Sequence, residues 1–324
     1  MKRVGNLIPL IADRENLREA FLLAVRGKQL KAECMRFRAQ LDTEVEELHE
    51  QLLNGSYRIG NYRRFKVYDP KERIICAVPF RDRVVMHAMM RVCHQLFDSY
   101  QTDMSYASRK GRGTYKAIEK AQQHCCHHRW FVKLDVKKYF DSISHNCLKY
   151  LLRRIVKDRL LLAYWDMIID SYETLPDYGL PIGNLTSQYW ANHYLAVADH
   201  WAKEKLHVDK MVRYMDDVVM WGDNSAILLS QAQEYTNYVG QRLHLQLHPP
   251  VMNRTQMGMP FLGYVIKPHV LRLTQRSRLR YRKKVRQLTA MTEEGIVSQE
   301  QCRLSAQSLL SFVNKASVHL FLCI

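Results

Sequence analysis

Acidic residues are missing from a long stretch of this 324-residue chain: from Tyr235 to Thr292 there is no Asp or Glu, although eleven Arg or Lys residues fall in the same window. Eight of those cations lie between Arg272 and Arg286, and the chain as a whole carries a net charge of +17. A basic face kept only for solubility mixes both signs, so an unmixed block calls for a polyanion, and nucleic acid is the partner it fits. Long apolar runs are missing too. No stretch approaches the roughly 20 residues of a membrane span, and Leu7-Ile8-Pro9-Leu10-Ile11-Ala12 is too short, and too soon followed by Asp13, to be a signal peptide. No membrane association and a cytoplasmic setting are therefore expected. The eight cysteines include no Cys-x-x-Cys pair, which in a chain of this size favours reduced thiols over a disulfide framework. Internal repeats and low-complexity linkers are also absent. At 47% hydrophobic residues the chain is globular and long enough for one large domain or two to three smaller ones.

Two carboxylates stand side by side in Tyr214-Met215-Asp216-Asp217, between the apolar runs Met211-Val212 and Val218-Val219-Met220-Trp221. Two short β-type runs about such a tip read as a hairpin. Adjacent anions repel, and a metal ion that neutralises both is the usual compensation; by itself, the pair fits a solvated turn equally well. A third carboxylate decides between these readings. Trp130-Phe131-Val132-Lys133-Leu134 reads as a buried strand that delivers Asp135 to its C-terminal end, where sheets commonly place ligands. Three convergent carboxylates suit one or two Mg²⁺ ions far better than a structural role.

The rest of the chain supplies the frame. Asp13 is placed to cap a helix bearing Leu17, Ala20, Phe21, Ala24 and Val25, and Phe37, Leu41, Val45, Leu48 and Leu52 form a second stripe that runs to Asn54-Gly55. Alternation from Tyr57 to Val78 predicts a hairpin turning at Asp69-Pro70-Lys71-Glu72, with Lys71 and Arg73 on one strand face. A helix follows Phe80-Arg81-Asp82-Arg83. The run His124-Cys125-Cys126-His127-His128 resembles a metal cluster, but adjacent residues converge poorly on one tetrahedral ion and no second ligand pair follows, so it reads as a helix end. Helical segments span Leu148 to Ile155 and Leu160 to Ile169. Gly183 then gives a turn feeding a helix that starts at Asn184 to Ser187, a geometry suited to a nucleotide or strand backbone. Leu243 to Leu247 alternates as a strand, and Phe261-Leu262-Gly263-Tyr264 opens a short hairpin. In the helical tail, Tyr281, Val285 and Leu288 share a stripe flanked by Arg278, Arg282, Lys283 and Arg286, which suits packing on one side and phosphate contact on the other.

Taken together, these residues resemble reverse transcriptases. Asp135 with Phe140 five residues on, Gly179-Leu180-Pro181 through Gly183 to Ser187, Tyr214-Met215-Asp216-Asp217 and Phe261-Leu262-Gly263-Tyr264 look like palm motifs A, B and C and the primer grip, in order and at similar spacing. With Arg73 and Arg81-Asp82-Arg83 the resemblance covers about residues 57 to 290. It implies an α+β right-hand polymerase: N-terminal helices and fingers at 1–130, a palm with antiparallel sheet at 131–265 that includes a helical fingers insertion at 143–178, and a basic helical thumb at 266–324. It also implies that Asp135, Asp216 and Asp217, with the Val136 carbonyl, hold two Mg²⁺ ions, Mn²⁺ being a substitute. Lys71, Arg73, Phe140, Ile182, Gly183 and Gln188 would form the dNTP site, with Phe140 excluding a 2′-OH.

One departure points to a subfamily. Most reverse transcriptases carry Gln before the motif B glycine and often Pro after its serine, where this chain has Ile182 and Gln188. That pattern is similar to reverse transcriptases of bacterial and phage diversity-generating retroelements, which copy a template-repeat RNA into cDNA with errors opposite adenine for mutagenic retrohoming. An accessory variability determinant protein, the template-repeat RNA, a cDNA primer–template duplex and dNTPs are the partners this implies. The chain length, ending after the thumb region, fits that family better than an intron enzyme with added domains. The alternatives are a group II intron-like or defence-associated enzyme of ordinary fidelity, and a non-catalytic RNA-binding scaffold, which retention of three carboxylates argues against.

Overall fold

The computed structural model describes residues 2–68, 72–314 and 316. Its first half contains α1 (Ile8–Ala12), α2 (Arg14–Ala24), α3 (Ala32–Ala39), α4 (Leu41–Asn54), β1 (Arg63–Tyr68), β2 (Glu72–Ala77), α5 (Phe80–Tyr100), α6 (Thr114–His127), β3 (Trp130–Asp135), α7 (Tyr139–Ser142) and α8 (His145–Arg153). The second contains α9 (Arg159–Asp170), α10 (Leu185–Glu204), β4 (Met211–Tyr214), β5 (Asp217–Gly222), α11 (Ser225–Leu243), β6 (Val251–Arg254), β7 (Met259–Phe261), β8 (Tyr264–Lys267), β9 (Val270–Leu273), α12 (Gln275–Glu293) and α13 (Gln299–Asn314). No helix among the described residues is long and apolar enough to cross a membrane.

Contacts divide the chain into two compact units. One comprises Met1–Arg109, Asp135–His207 and Tyr235–His248, the other Lys110–Leu134, Val208–Glu234 and Pro249–Ile324. In the first unit α5 is the central helix. Phe80, at its start, meets Phe21 of α2 edge-on at 6.1 Å and Phe37 of α3 at 5.4 Å, geometries that favour the ring quadrupoles. Buried Asp82 accepts from the Tyr57 hydroxyl at 2.7 Å and from the Gly60 amide at 2.9 Å, and burial raises its pKa. Arg81 donates to Glu44 at 2.9 Å and to Gln51 at 3.0 Å, so this charged segment ties α5 to α4. Asp158 caps α9 through the Leu161 amide at 3.2 Å and also accepts from the Leu7 amide at 2.7 Å. In the second unit the strand order is β4-β5-β3-β6, with β4–β5 and β3–β6 antiparallel, and β7-β8-β9 form a separate antiparallel meander.

Two sequence expectations are corrected. The apolar stripe from Phe37 to Leu52 is not one helix, because Gln40 leaves helical geometry at φ −120°, ψ 29° and separates α3 from α4. Gln is a good helix former, so no breaker marks the site. Residues 243–247 are not a strand: α11 runs to Leu243, and His244 turns the chain at φ 55°. Only Leu247 retains a β-bridge, to Val136. Buried Leu243 and Leu245 imitate strand alternation, but Leu243 continues the four-residue spacing of Tyr235 and Val239 along the helix. The turn expected at residues 69–71, Lys71 included, lies outside the described residues.

Candidate active site

The acidic pair sits on a tight hairpin. Tyr214 pairs with Asp217, which leaves Met215 and Asp216 as a two-residue turn. Met215 takes φ 55°, a left-handed conformation uncommon for a residue with a Cβ. What holds it there is Arg213, fully buried, whose guanidinium donates to the Met215 carbonyl at 3.0 Å. The Tyr214 hydroxyl accepts from Thr114 of α6 at 3.0 Å. β5, which begins with Asp217, neighbours β3, which ends with Asp135, so the two carboxylate-bearing strand ends belong to adjacent strands of one sheet.

Lys133 of β3 also reaches the acidic hairpin. Its ammonium lies 2.9 Å from Asp217 and donates to the Pro260 carbonyl at 3.3 Å, thereby linking the acidic hairpin to β7. A cation thus already compensates Asp217. Strand periodicity gave the signal: Lys133 is two residues before Asp135, hence on the same face. Among the described residues no three His, Cys, Asp or Glu side chains form a ready metal cage.

The turn at Ile182-Gly183 and the β1–β2 hairpin meet within the first unit. The Cys76 amide of β2 donates to the Ile182 carbonyl at 3.0 Å. Gly183 has φ 117°, and a Cβ there would lie 3.0 Å from Ile75 Cγ2, so both conformation and space select glycine. The Leu180 amide donates to the Phe140 carbonyl at 2.8 Å. Tyr139 is buried and its hydroxyl donates to the Ala191 carbonyl of α10, leaving the Phe140 ring half-exposed beside it. Backbone bonds thus gather β2, which carries Arg73, with Ile182, Gly183 and Phe140. Gln188 is exposed on the first turns of α10, and Asp135 is exposed with its carbonyl accepting from the His248 amide at 2.8 Å. Val136 is buried and bridged to Leu247.

Phe261 ends β7 and Tyr264 starts β8, with Leu262 and Gly263 turning at φ 47° and 88°. Two left-handed residues make a tight turn matched to strand twist. Phe261 and Tyr264 are buried, and the Tyr264 hydroxyl donates to the Phe312 carbonyl at 2.5 Å, joining the hairpin to α13. Thr274 caps α12 by accepting from the Ser277 amide at 3.2 Å. Arg278, Arg282, Lys283 and Arg286 are all exposed on that helix, whereas Tyr281, Val285 and Leu288 are half-buried. The five residues His124 to His128 diverge, as expected of a helix end. His124 stacks on Trp221 at 4.9 Å and burial lowers its pKa to about 4; Cys125 accepts from the Trp221 indole; Cys126 lies 3.8 Å from His269; His127 bonds the Gln123 carbonyl; His128 pairs with Asp223 at 3.1 Å.

The family described as reverse transcriptase (RNA-dependent DNA polymerase) matches residues 68–266, more than half of the chain. Among characterised proteins the chain is similar to YkfC of Escherichia coli, 26% identical over 250 residues that cover 69% of this chain and 65% of YkfC. It is also similar to the group II intron-encoded protein LtrA of Lactococcus lactis, 25% identical over 167 residues, 49% of this chain and 28% of LtrA. The chain thus spans just under two thirds of the first relative and little more than a quarter of the second. In fold it is similar to a telomerase from Candida tropicalis solved with a fragment of telomeric RNA, with TM-score 0.51 and 12% identity over 78% of this chain and 53% of that one. That likeness agrees with an α+β right-hand polymerase fold. With the acidic hairpin, the strand end at Asp135 and the glycine turn in family order, the chain belongs to the reverse transcriptases.

Proposed function

We propose that the chain is an RNA-directed DNA polymerase that extends a DNA primer on an RNA template with dNTPs. The observation that carries this is the Tyr-Met-Asp-Asp hairpin, whose acidic strand neighbours, in one sheet, the strand that ends in Asp135. The donor set of Asp135, Asp216 and Asp217 with the Val136 carbonyl is all hard oxygen, which fits Mg²⁺ or Mn²⁺. The Lys133 ammonium against Asp217 supports the same reading, because that carboxylate already attracts a cation. Bound divalent ions would supply activation of the primer 3′-OH and neutralisation of the leaving pyrophosphate. The protein groups do the positioning. Arg73 on β2, with Lys71, would bind triphosphate; Phe140 would lie under the sugar; Ile182 and Gly183 would shape the pocket around the nascent pair, with Gln188 beyond. Phe261 to Tyr264 would place the primer end, and Arg278, Arg282, Lys283 and Arg286 would follow the duplex backbone.

Lys133 competes for the same carboxylate as the ions. Replacing it by Met is expected to tighten Mn²⁺ binding to the primer–template complex by up to about fivefold, since a partly exposed pair contributes at most about 1 kcal/mol. Paramagnetic titration of Mn²⁺ checks this, and an unchanged affinity would remove the competition.

The finer proposal is error-prone cDNA synthesis from a template-repeat RNA, as in diversity-generating retroelements, with an accessory protein as partner. It rests on Ile182, which offers shape but no hydrogen bond beside the nascent pair. Sites that lack polar contacts discriminate less. The similarity to LtrA favours a second reading, a group II intron-like enzyme of ordinary fidelity. Sequencing the cDNA errors by template base separates the two. Errors concentrated opposite adenine, reduced roughly tenfold in Ile182→Gln, are expected of the first. Evenly spread errors would leave the polymerase and exclude the retroelement reading, whereas no cDNA would exclude both.

A further inference from the structure

A second basic surface lies in the first unit, on residues that none of the polymerase motifs uses. The segment near Val4 runs beside the α8–α9 connection as a short parallel bridge: Val4 pairs with Val156, its amide donates to the Ile155 carbonyl at 3.0 Å, and the Lys157 amide donates to the Val4 carbonyl at 2.8 Å. This bridge sets Lys2 and Arg3 next to Arg153, Arg154 and Lys157. Gly5 makes room for the cluster, because a Cβ there would come within 3.1 Å of the Lys157 side-chain stem. Two adjoining clefts of about 520 and 460 Å³ share Arg3. Tyr100 and Tyr150 line the larger together with Arg153 and Arg154, while Lys2, Gly5 and Lys157 line the smaller.

Of these cations Arg153 is paired with Asp166, and the others are not neutralised by neighbours. Among the described residues no carboxylate forms an ion pair with Lys2, Arg3, Arg154 or Lys157. Two further acids are engaged elsewhere: Asp158 with the amides of Leu7 and Ile8, and Glu204 with His200 at 3.2 Å. The aromatics differ in a useful way. Tyr100 is fixed between His193 at 4.6 Å and His200 at 4.9 Å, whereas Tyr150 is 63% exposed on α8. Exposed cations interleaved with tyrosines in a cleft match single-stranded nucleic acid, where phosphates meet the cations and unstacked bases find a ring. An acidic protein would use the cations but has no need of the exposed ring.

We propose that this cleft binds a single-stranded RNA segment outside the primer–template duplex, with Arg3, Arg154 and Lys157 on phosphates and Tyr150 stacked on a base. The test uses the full chain and a fluorescein-labelled, unstructured RNA oligonucleotide, with affinity measured across a salt series. The triple variant Arg3→Gln, Arg154→Gln, Lys157→Gln is expected to lower the log–log salt slope by about 2, at roughly 0.7 per lost phosphate contact. Tyr150→Ala is expected to weaken binding by roughly fivefold to a hundredfold with the slope unchanged. Extension of a short preannealed primer–template keeps its rate in both variants, so this site can fail while the polymerase reading stands. A wild-type slope in a triple variant of wild-type melting temperature would overturn the proposal. So would loss of a bound acidic protein with RNA affinity intact, which would make the cleft a protein-docking face. Photo-crosslinking of 4-thiouridine RNA to wild-type protein gives an independent arm: adducts on the peptide holding Tyr150 support the site, and adducts confined to α12 and α13 refute it.

Discussion

Asp216→Asn is expected to lower primer extension by roughly 10³-fold or more while RNA affinity and melting temperature stay near wild type. The size follows from removing charge stabilisation where phosphoryl transfer concentrates negative charge; losing even one neutral donor from such a site costs 10²–10³. Stability should survive because Asp216 is the second residue of a two-residue turn, a position Asn tolerates, and the turn is held by Arg213 through the Met215 carbonyl. Active-site titration with radiolabelled dNTP separates lost chemistry from a lost fraction of folded protein. Extension at a tenth of the wild-type rate would remove Asp216 from the metal site.

Phe140→Ala should act on substrate choice instead of rate. The ring projects half-exposed from α7 just after Lys138, which has φ 46°, and the Phe140 carbonyl is fixed by the Leu180 amide at 2.8 Å. If the ring lies under the sugar as proposed, removing it would open room for a 2′-OH, and insertion of ribonucleotides relative to deoxynucleotides is expected to rise by roughly 10²-fold in kcat/KM, the scale of a steric exclusion. Incorporation of single rNTPs and dNTPs on the same primer measures it. An unchanged ratio would return Phe140 to ordinary packing.

How far the sequence could be read followed how local each signal was. The acidic hairpin, the Leu262-Gly263 turn and the cap at Asp13 are set by neighbouring residues, and all form where expected. Asp135 was legible because an apolar run ending in one carboxylate is unusual. Long-range pairing was not legible. The strand period puts Lys133 on the face of Asp135 but does not show its contact with the Pro260 carbonyl of β7, and Arg213 reads as a surface charge although it is wholly buried beneath the turn. Nor does the sequence mark the break at Gln40, which separates two helices without Gly or Pro. The bridge from Val4 to Val156 is another long-range pairing, and it creates a basic cleft from residues about 150 positions apart.

The central claim, RNA-templated DNA synthesis at these aspartates, is tested most directly by extending a 5′-labelled DNA primer annealed to RNA with one dNTP at a time in Mg²⁺. Addition only of the nucleotide complementary to the next RNA base, or of its mispair opposite adenine, with none in EDTA, is the expected result. Folded protein that binds the primer–template yet adds no nucleotide in Mg²⁺ or Mn²⁺ would contradict it.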